Sequence, residues 1–252
     1  MSITKMSVSS IKNGFPKYQN AYDTQAIFPK NIVDVFGDSS GVALWSFDND
    51  ATEKSQSYNG SASNVTYDSS SKKVGTHSAV FNGSSSTISV PSVRTSYPIS
   101  ISVWAQNSSG WVPSSGVQEI FNMSVLDNAS TPRRLTIGIL TNAGWPTGPT
   151  VMYGNSNHWS FNSSSIFNNN STEFFHLVYN IPGYNSSPTC YINGISYSSF
   201  TNNGGGHGGA PGFNIGSNST GGEWWNGRLD QLRVFNKTLS QSEVNQLYTQ
   251  VI

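Results

Sequence analysis

One cysteine, Cys190, stands in the 252 residues, so neither an internal disulfide nor a cysteine-based zinc cluster can staple the fold. Charge is equally scarce. Asp, Glu, Lys and Arg make up 10% of the chain and cancel to zero, which removes the electrostatic footprint that nucleic acid or an anionic membrane requires. No apolar run approaches the length of a membrane span, so membrane insertion is not expected. Met1 to Gly14 carries Lys5 and Lys12 but no continuous apolar stretch, and does not read as a Sec signal peptide.

What is present is Ser, Asn, Thr and Gly between short apolar runs, with 12% aromatic residues, too many for a disordered polar chain. From Gly41 onward the runs are bounded by turn residues, the signature of many short strands. In the first half they are Val42–Phe47, Ser78–Phe81, Thr87–Val90, Ile99–Ala105 and Glu119–Met123. Arg134–Leu140, Thr150–Tyr153, Phe174–Asn180, Thr189–Ser198, Phe213–Gly216 and Gly227–Phe235 follow. Ile99, Ile101 and Val103 alternate with Ser100 and Ser102, which predicts one buried and one wet face. Asn193-Gly194 predicts a two-residue type I′ hairpin, since both residues tolerate positive φ. One helix is predicted, at the end. Ser240 and Glu243 form a capping box, Leu239 and Val244 a hydrophobic staple, and Val244, Leu247, Tyr248 and Val251 an apolar stripe. Residues 1–38 lack this patterning and read as an N-terminal arm, either a mobile terminus, an edge strand or an anchoring segment. The expected fold is all-β, a two-sheet antiparallel jelly-roll sandwich over residues 39–252 with a short C-terminal helix.

Several segments, in order, resemble the laminin-G-like jelly-roll family of the concanavalin A-like lectin/glucanase superfamily. They are Ala43 to Asp48, Gly75 to Val90, Ile99 to Trp104, Phe175 to Tyr179, Cys190 to Gly194 and, most diagnostic, Trp225 to Tyr248. Phe174-Phe-His176, the turn Ile181 to Asn185 and the glycine-rich loop Asn202 to Gly212 depart from the family pattern, which weakens any transfer of ligand specificity.

Catalytic signatures are missing. Glucan-cleaving relatives carry a Glu-x-Asp-x-x-Glu array, because retaining hydrolysis needs two carboxyl groups about 5 Å apart. Here Glu119 stands alone and reads as a strand-end carboxylate. Ser217 to Trp224 has the spacing of a sialidase Asp box, but Ser219 stands where the Asp belongs. His77, His158, His176 and His207 show no paired metal spacing, and there is no Gly-x-Ser-x-Gly elbow or phosphate loop. The chain is expected not to be an enzyme.

Two kinds of site remain. If the last strand is regular, Asp230 shares a face with Leu232 and Val234, and a carboxylate on a core face must be answered. Backbone amides, Arg228 or Arg233 are one answer. The resemblance implies another, calcium held by Asp230 with oxygen atoms after the first strand, where Asp48 and Asp50 lie. For glycans, Trp111, Trp145 and Trp159 sit in loop-like surroundings and are either aromatic platforms or packed loop anchors. The leading expectation is a non-catalytic virion surface protein, a bacteriophage capsid decoration or tail component. Its arm would dock to other virion proteins and its body to cell-surface glycans. A free extracellular carbohydrate-binding lectin or adhesin is the alternative, and an inactive glycoside hydrolase relative a third; oligomerisation stays open.

Overall fold

Short, turn-bounded apolar runs leave the chain no way to bury a face except by pairing strands into stacked sheets. A computed structural model describes residues 32–93, 96–108, 116–126, 132–141, 148–154, 157–161, 173–204, 212–218 and 222–250. The first strands are β1 (Gly41–Trp45), β2 (Ser61–Ser63), β3 (Thr66–Asp68), β4 (Ser78–Asn82), β5 (Thr87–Ser89) and β6 (Ile99–Asn107). Next come β7 (Gly116–Leu126), β8 (Pro132–Thr141), β9 (Gly148–Tyr153), β10 (Asn157–Ser160) and β11 (Phe175–Ile181). The last are β12 (Thr189–Ile192), β13 (Ile195–Tyr197), β14 (Thr201–Asn202), β15 (Asn214–Ile215) and β16 (Asn226–Phe235), before helix α1 (Gln241–Thr249). They form two eight-stranded antiparallel sheets. The first runs β13-β12-β11-β6-β16-β4-β3, with β1 also on β16, and the second runs β14-β10-β9-β8-β7-β15-β5-β2. The expected jelly-roll sandwich is what forms.

The core lies between the sheets. Ile99, Ile101 and Val103 of β6 meet Leu135, Ile137 and Ile139 of β8, with Trp45, Phe121 and Trp225 among the largest fully buried side chains. Asn193 and Gly194 have φ of 50° and 82° and close a two-residue hairpin in which Ile192 faces Ile195, as the sequence predicts.

Helix α1 lies on the outer face of the first sheet. Val244 and Leu247 pack with Leu239, Val178, Tyr191 and Phe235, and the capping box forms on both sides, Ser240 to the Glu243 amide and Glu243 to the Ser240 amide. Ser240→Ala is therefore expected to lower stability by about 1 kcal/mol, read as a shift in the urea midpoint. Tyr248 stacks on Trp104 at 5.6 Å; Val251 lies outside the described residues. This cover overturns the wet face expected for β6. Ser100 and Ser102 are buried: the Ser100 hydroxyl lies at hydrogen-bond distance from both the Asn180 side chain and the Lys237 carbonyl, and Ser102 bonds His176. Trp104 is buried on that same outer face and not between the sheets.

The described end of the arm packs against the sandwich. Val33 and Val35 are buried, Phe36 lies 5.3 Å from the Phe235 ring, and Arg233 donates to the Ile32 carbonyl at 2.7 Å. Residues 1–31 lie outside the described residues.

Two β-bulges re-aim the buried carboxylates. In β7 the register shifts between Glu119 and Phe121, so Ile120 and Phe121 both enter the core while Glu119 and Asn122 face outward. In β16 it shifts between Asp230 and Arg233, around Gln231 at φ 50°. Asp230 therefore does not share a face with Leu232 and Val234, which the sequence alone predicts; those two are in the core, and Asp230 is on the outer face.

Candidate functional site

On that outer face Asp230 is fully buried under the loop before β4. One oxygen, Oδ2, accepts the amides of Lys73 at 2.8 Å and Val74 at 3.0 Å; the other, Oδ1, is buried with no hydrogen-bond partner among the described residues. Arg228 is not the answer, since it pairs with Asp68 at 2.7 Å. Asp48 holds the far end of the loop, accepting from the Thr76 and His77 amides and the Thr76 hydroxyl. The approach is close enough to require Gly75, where φ is 73° and a Cβ would lie 2.2 Å from Asp48 Oδ1. Burial pushes the Asp48 carboxyl up, but these hydrogen bonds outweigh it and hold it below its ordinary value. Asp230 goes the other way, pushed up to about 7 by burial, with the Asp48 charge adding to the rise. Asp50, the third candidate ligand, is exposed and caps the Thr52 amide at 2.9 Å. Among the described residues no cluster of three His, Cys, Asp or Glu side chains is placed to hold a metal ion. Asp230 Oδ1 and Asp48 are hard oxygen donors of the kind calcium takes.

The second carboxylate, Glu119, is mid-strand and not alone. Arg134 of β8 pairs with its Oε1, and Asn122 donates to Oε2 at 3.1 Å. Asn122 and Arg134 also donate to the Thr136 hydroxyl, at 3.2 and 3.1 Å. Glu223 reaches the same guanidinium at 3.8 Å. Burial, and then the hydrogen bond shared with Glu223, raise the Glu119 carboxyl well above its usual range against the pull of Arg134. The two carboxyls and the one guanidinium therefore act as a coupled group, in which burial favours the protonated form of Glu119. The network continues across the same face, where Thr150 bonds His158 at 2.6 Å and Asn203 donates to Ser160 at 2.7 Å.

Of the tryptophans singled out in the sequence, Trp111 and Trp145 lie outside the described residues. Trp159 is half-buried on β10, opposite Val151 of β9 and Asn202 of β14, at the margin of the core. The Asn202 amide donates to the Asn157 side chain across the strand pair that holds it, at 3.3 Å.

Sequence reasoning missed the Glu119–Arg134–Glu223 group. Its signal was the adjacent apolar pair Ile120-Phe121 in an otherwise alternating strand, which marks a bulge.

Comparison with known proteins gives the same architecture. Domain 4 of AbnA, a GH43 extracellular arabinanase from Geobacillus stearothermophilus solved in complex with arabinotriose, is 24% identical. It superposes with a TM-score of 0.58 over 82% of this chain and 98% of that domain. A Trypanosoma rangeli sialidase in complex with the inhibitor DANA is 13% identical, with a TM-score of 0.49. The receptor-binding domain of botulinum neurotoxin D is 16% identical, with a TM-score of 0.46. This chain spans 33% and 52% of those two longer chains, in each case with 83% of its own length. No curated protein matches the chain. The family model described as the concanavalin A-like lectin/glucanases superfamily, of laminin-G type, matches residues 82–245, from β4 to the first half of α1. By that match and by its two stacked antiparallel sheets, the chain belongs to the laminin-G-like family of the concanavalin A-like lectins and glucanases.

Proposed function

We propose that the protein is a non-catalytic glycan-binding module carried on the surface of a virus particle, as a capsid decoration or a tail component. The observation that carries the glycan reading is Trp159, a half-buried ring on β10 beside the edge strand β14, with the Asn157 and Asn202 amides bridged next to it. An aromatic face with adjacent amides suits a sugar ring and its hydroxyls. The arabinanase domain solved with arabinotriose is a whole-domain likeness that makes pentose oligosaccharides the first ligands to try.

Catalysis is disfavoured by the state of the carboxylates. A glycosidase acid must reach the glycosidic oxygen, whereas Glu119 is fully buried with both oxygens engaged, by Arg134 and by Asn122. Calcium, if bound, would be held by Asp230 and Asp48; it would neutralise the orphaned Asp230 oxygen and lock the loop 73–77 to β16.

Docking to a particle is assigned to the arm. Its residues 32–38 are fastened to the first sheet by Arg233 and by the Lys237–Asp38 pair, so a partner gripped by residues 1–31 would be tethered to that face. Deleting residues 1–31 should abolish incorporation into purified particles while leaving glycan affinity unchanged; incorporation that survives the deletion contradicts the docking role. The extracellular arabinanase domain favours a second reading, a free extracellular lectin-like module or adhesin, in which the chain is absent from particles. Titration calorimetry with arabinotriose and related oligosaccharides tests the glycan site: Trp159→Ala should weaken binding by about tenfold or more, and unchanged affinity would move the site elsewhere.

A further inference from the structure

Arg233 is a buried cation whose charge its contact with the arm leaves unanswered. It is 5% exposed. No ion pair between described residues includes it. Among the described residues its guanidinium donates only to neutral acceptors, the Ile32 carbonyl at 2.7 Å and the Gln231 side chain at 3.3 Å. Burial alone lowers its pKa, to about 10, with no carboxylate opposing the fall. Its charge is felt nearby: after burial, Arg233 and Lys73 depress the neighbouring His176. A buried charge without a counter-charge is costly, so a ligand that supplies one is strongly favoured.

Beside Arg233 there is room for such a ligand. A cavity of about 310 Å³ opens between the described end of the arm, β1 and the loop before β4. That is near the small end of the range for ligand sites, about 300–1,000 Å³. Ile32, Val35, Leu44 and Val74 make its walls apolar, Arg233 lines one side, and the exposed Lys54 stands at the rim. Asp48 also borders it, but its Oδ1 is taken by the Thr76 and His77 amides.

These features exclude most occupants. A sugar would leave its hydroxyls unpaired against the apolar walls, and a neutral hydrocarbon would leave the guanidinium unanswered. We propose that this cavity binds a small aliphatic monocarboxylate, its carboxylate paired with Arg233 and its hydrocarbon against Ile32, Val35, Leu44 and Val74. The planar guanidinium presents the fork that matches a carboxylate. Lys54 adds a screened attraction at the mouth.

The test is calorimetric titration of the full chain with hexanoate and, in parallel, hexan-1-ol, which has the same chain and no charge. Hexanoate should bind saturably and hexan-1-ol about tenfold more weakly or worse. Arg233→Met should reduce hexanoate affinity by about tenfold or more, to the level of the alcohol. Lys54→Gln, at an exposed position that does not threaten folding, should weaken it by roughly two- to fivefold. Equal affinity for acid and alcohol, unchanged affinity in a folded Arg233→Met, or no saturable hexanoate binding overturns the proposal. If Arg233→Met does not fold, the acid–alcohol comparison and Lys54→Gln decide.

Discussion

Replacing Arg134 by methionine is expected to destabilise the protein by about 3–5 kcal/mol, because it leaves the buried Glu119 carboxyl without its cation. Glu119 is fully buried, Arg134 is 5% exposed, and Glu223 shares the guanidinium. Removing one partner of such a group costs far more than removing both, since the survivor keeps its desolvation penalty. Glu119→Gln combined with Arg134→Met should therefore recover much of the loss. The pH dependence has a definite sign. The Glu119 carboxyl is raised in the folded state, so its contribution is full below the unfolded pKa and is lost as pH rises through the folded one. The penalty of Arg134→Met should accordingly be smaller at acidic pH, where the carboxyls are protonated, than at alkaline pH. Urea unfolding of the single and double variants at both extremes is the check. A penalty for Arg134→Met within about 0.5 kcal/mol of zero would mean that the network is not the buried structural element described above.

Calcium is expected to raise the melting temperature at alkaline pH, and Asp230→Asn to abolish that rise. Burial lifts Asp230 from 3.8 to about 7, so without metal its contribution is full below 3.8 and disappears as pH climbs through 7. In a chelator, stability should thus decline across that window. A cation on the orphaned Oδ1 favours the ionised form and reverses the trend. At a hundredfold excess over its dissociation constant, a ligand stabilises by about 2.7 kcal/mol, which for a domain of this size is about 5–10 °C. Asp230→Asn should show a flatter pH profile and no calcium response. Asp50→Asn should behave as the wild type, since Asp50 serves the Thr52 amide. Differential scanning fluorimetry at acidic and alkaline pH, with calcium and with chelator, reads all of this. An equal calcium shift in wild type and Asp230→Asn would remove Asp230 from any cation site.

The architecture was legible because it depends on periodicity. The alternation in β6 and β8, the Asn193-Gly194 turn and the Ser240–Glu243 capping box each carry a local physical signal, and each forms where it was read. Strands β2, β3, β10 and β14 were not legible. They are two to four residues long, rich in Ser, Thr and Asn, and rely on a neighbouring strand more than on an apolar face. The sites were less legible still, because bulges set them. A shift at Ile120 turns Glu119 outward towards Arg134, and one at Gln231 turns Asp230 away from Leu232. Ser100 and Ser102 illustrate the same limit: alternation shows that they face away from the core, but not that a helix and a polar network cover them.

The most direct test of the central reading, glycan binding without turnover, is a glycan array probed with the full chain, followed by mass analysis of the retained oligosaccharides. The account predicts saturable retention of at least one oligosaccharide class, recovered at its original mass. An array on which nothing is retained, or retained glycans recovered as cleavage products, would contradict it.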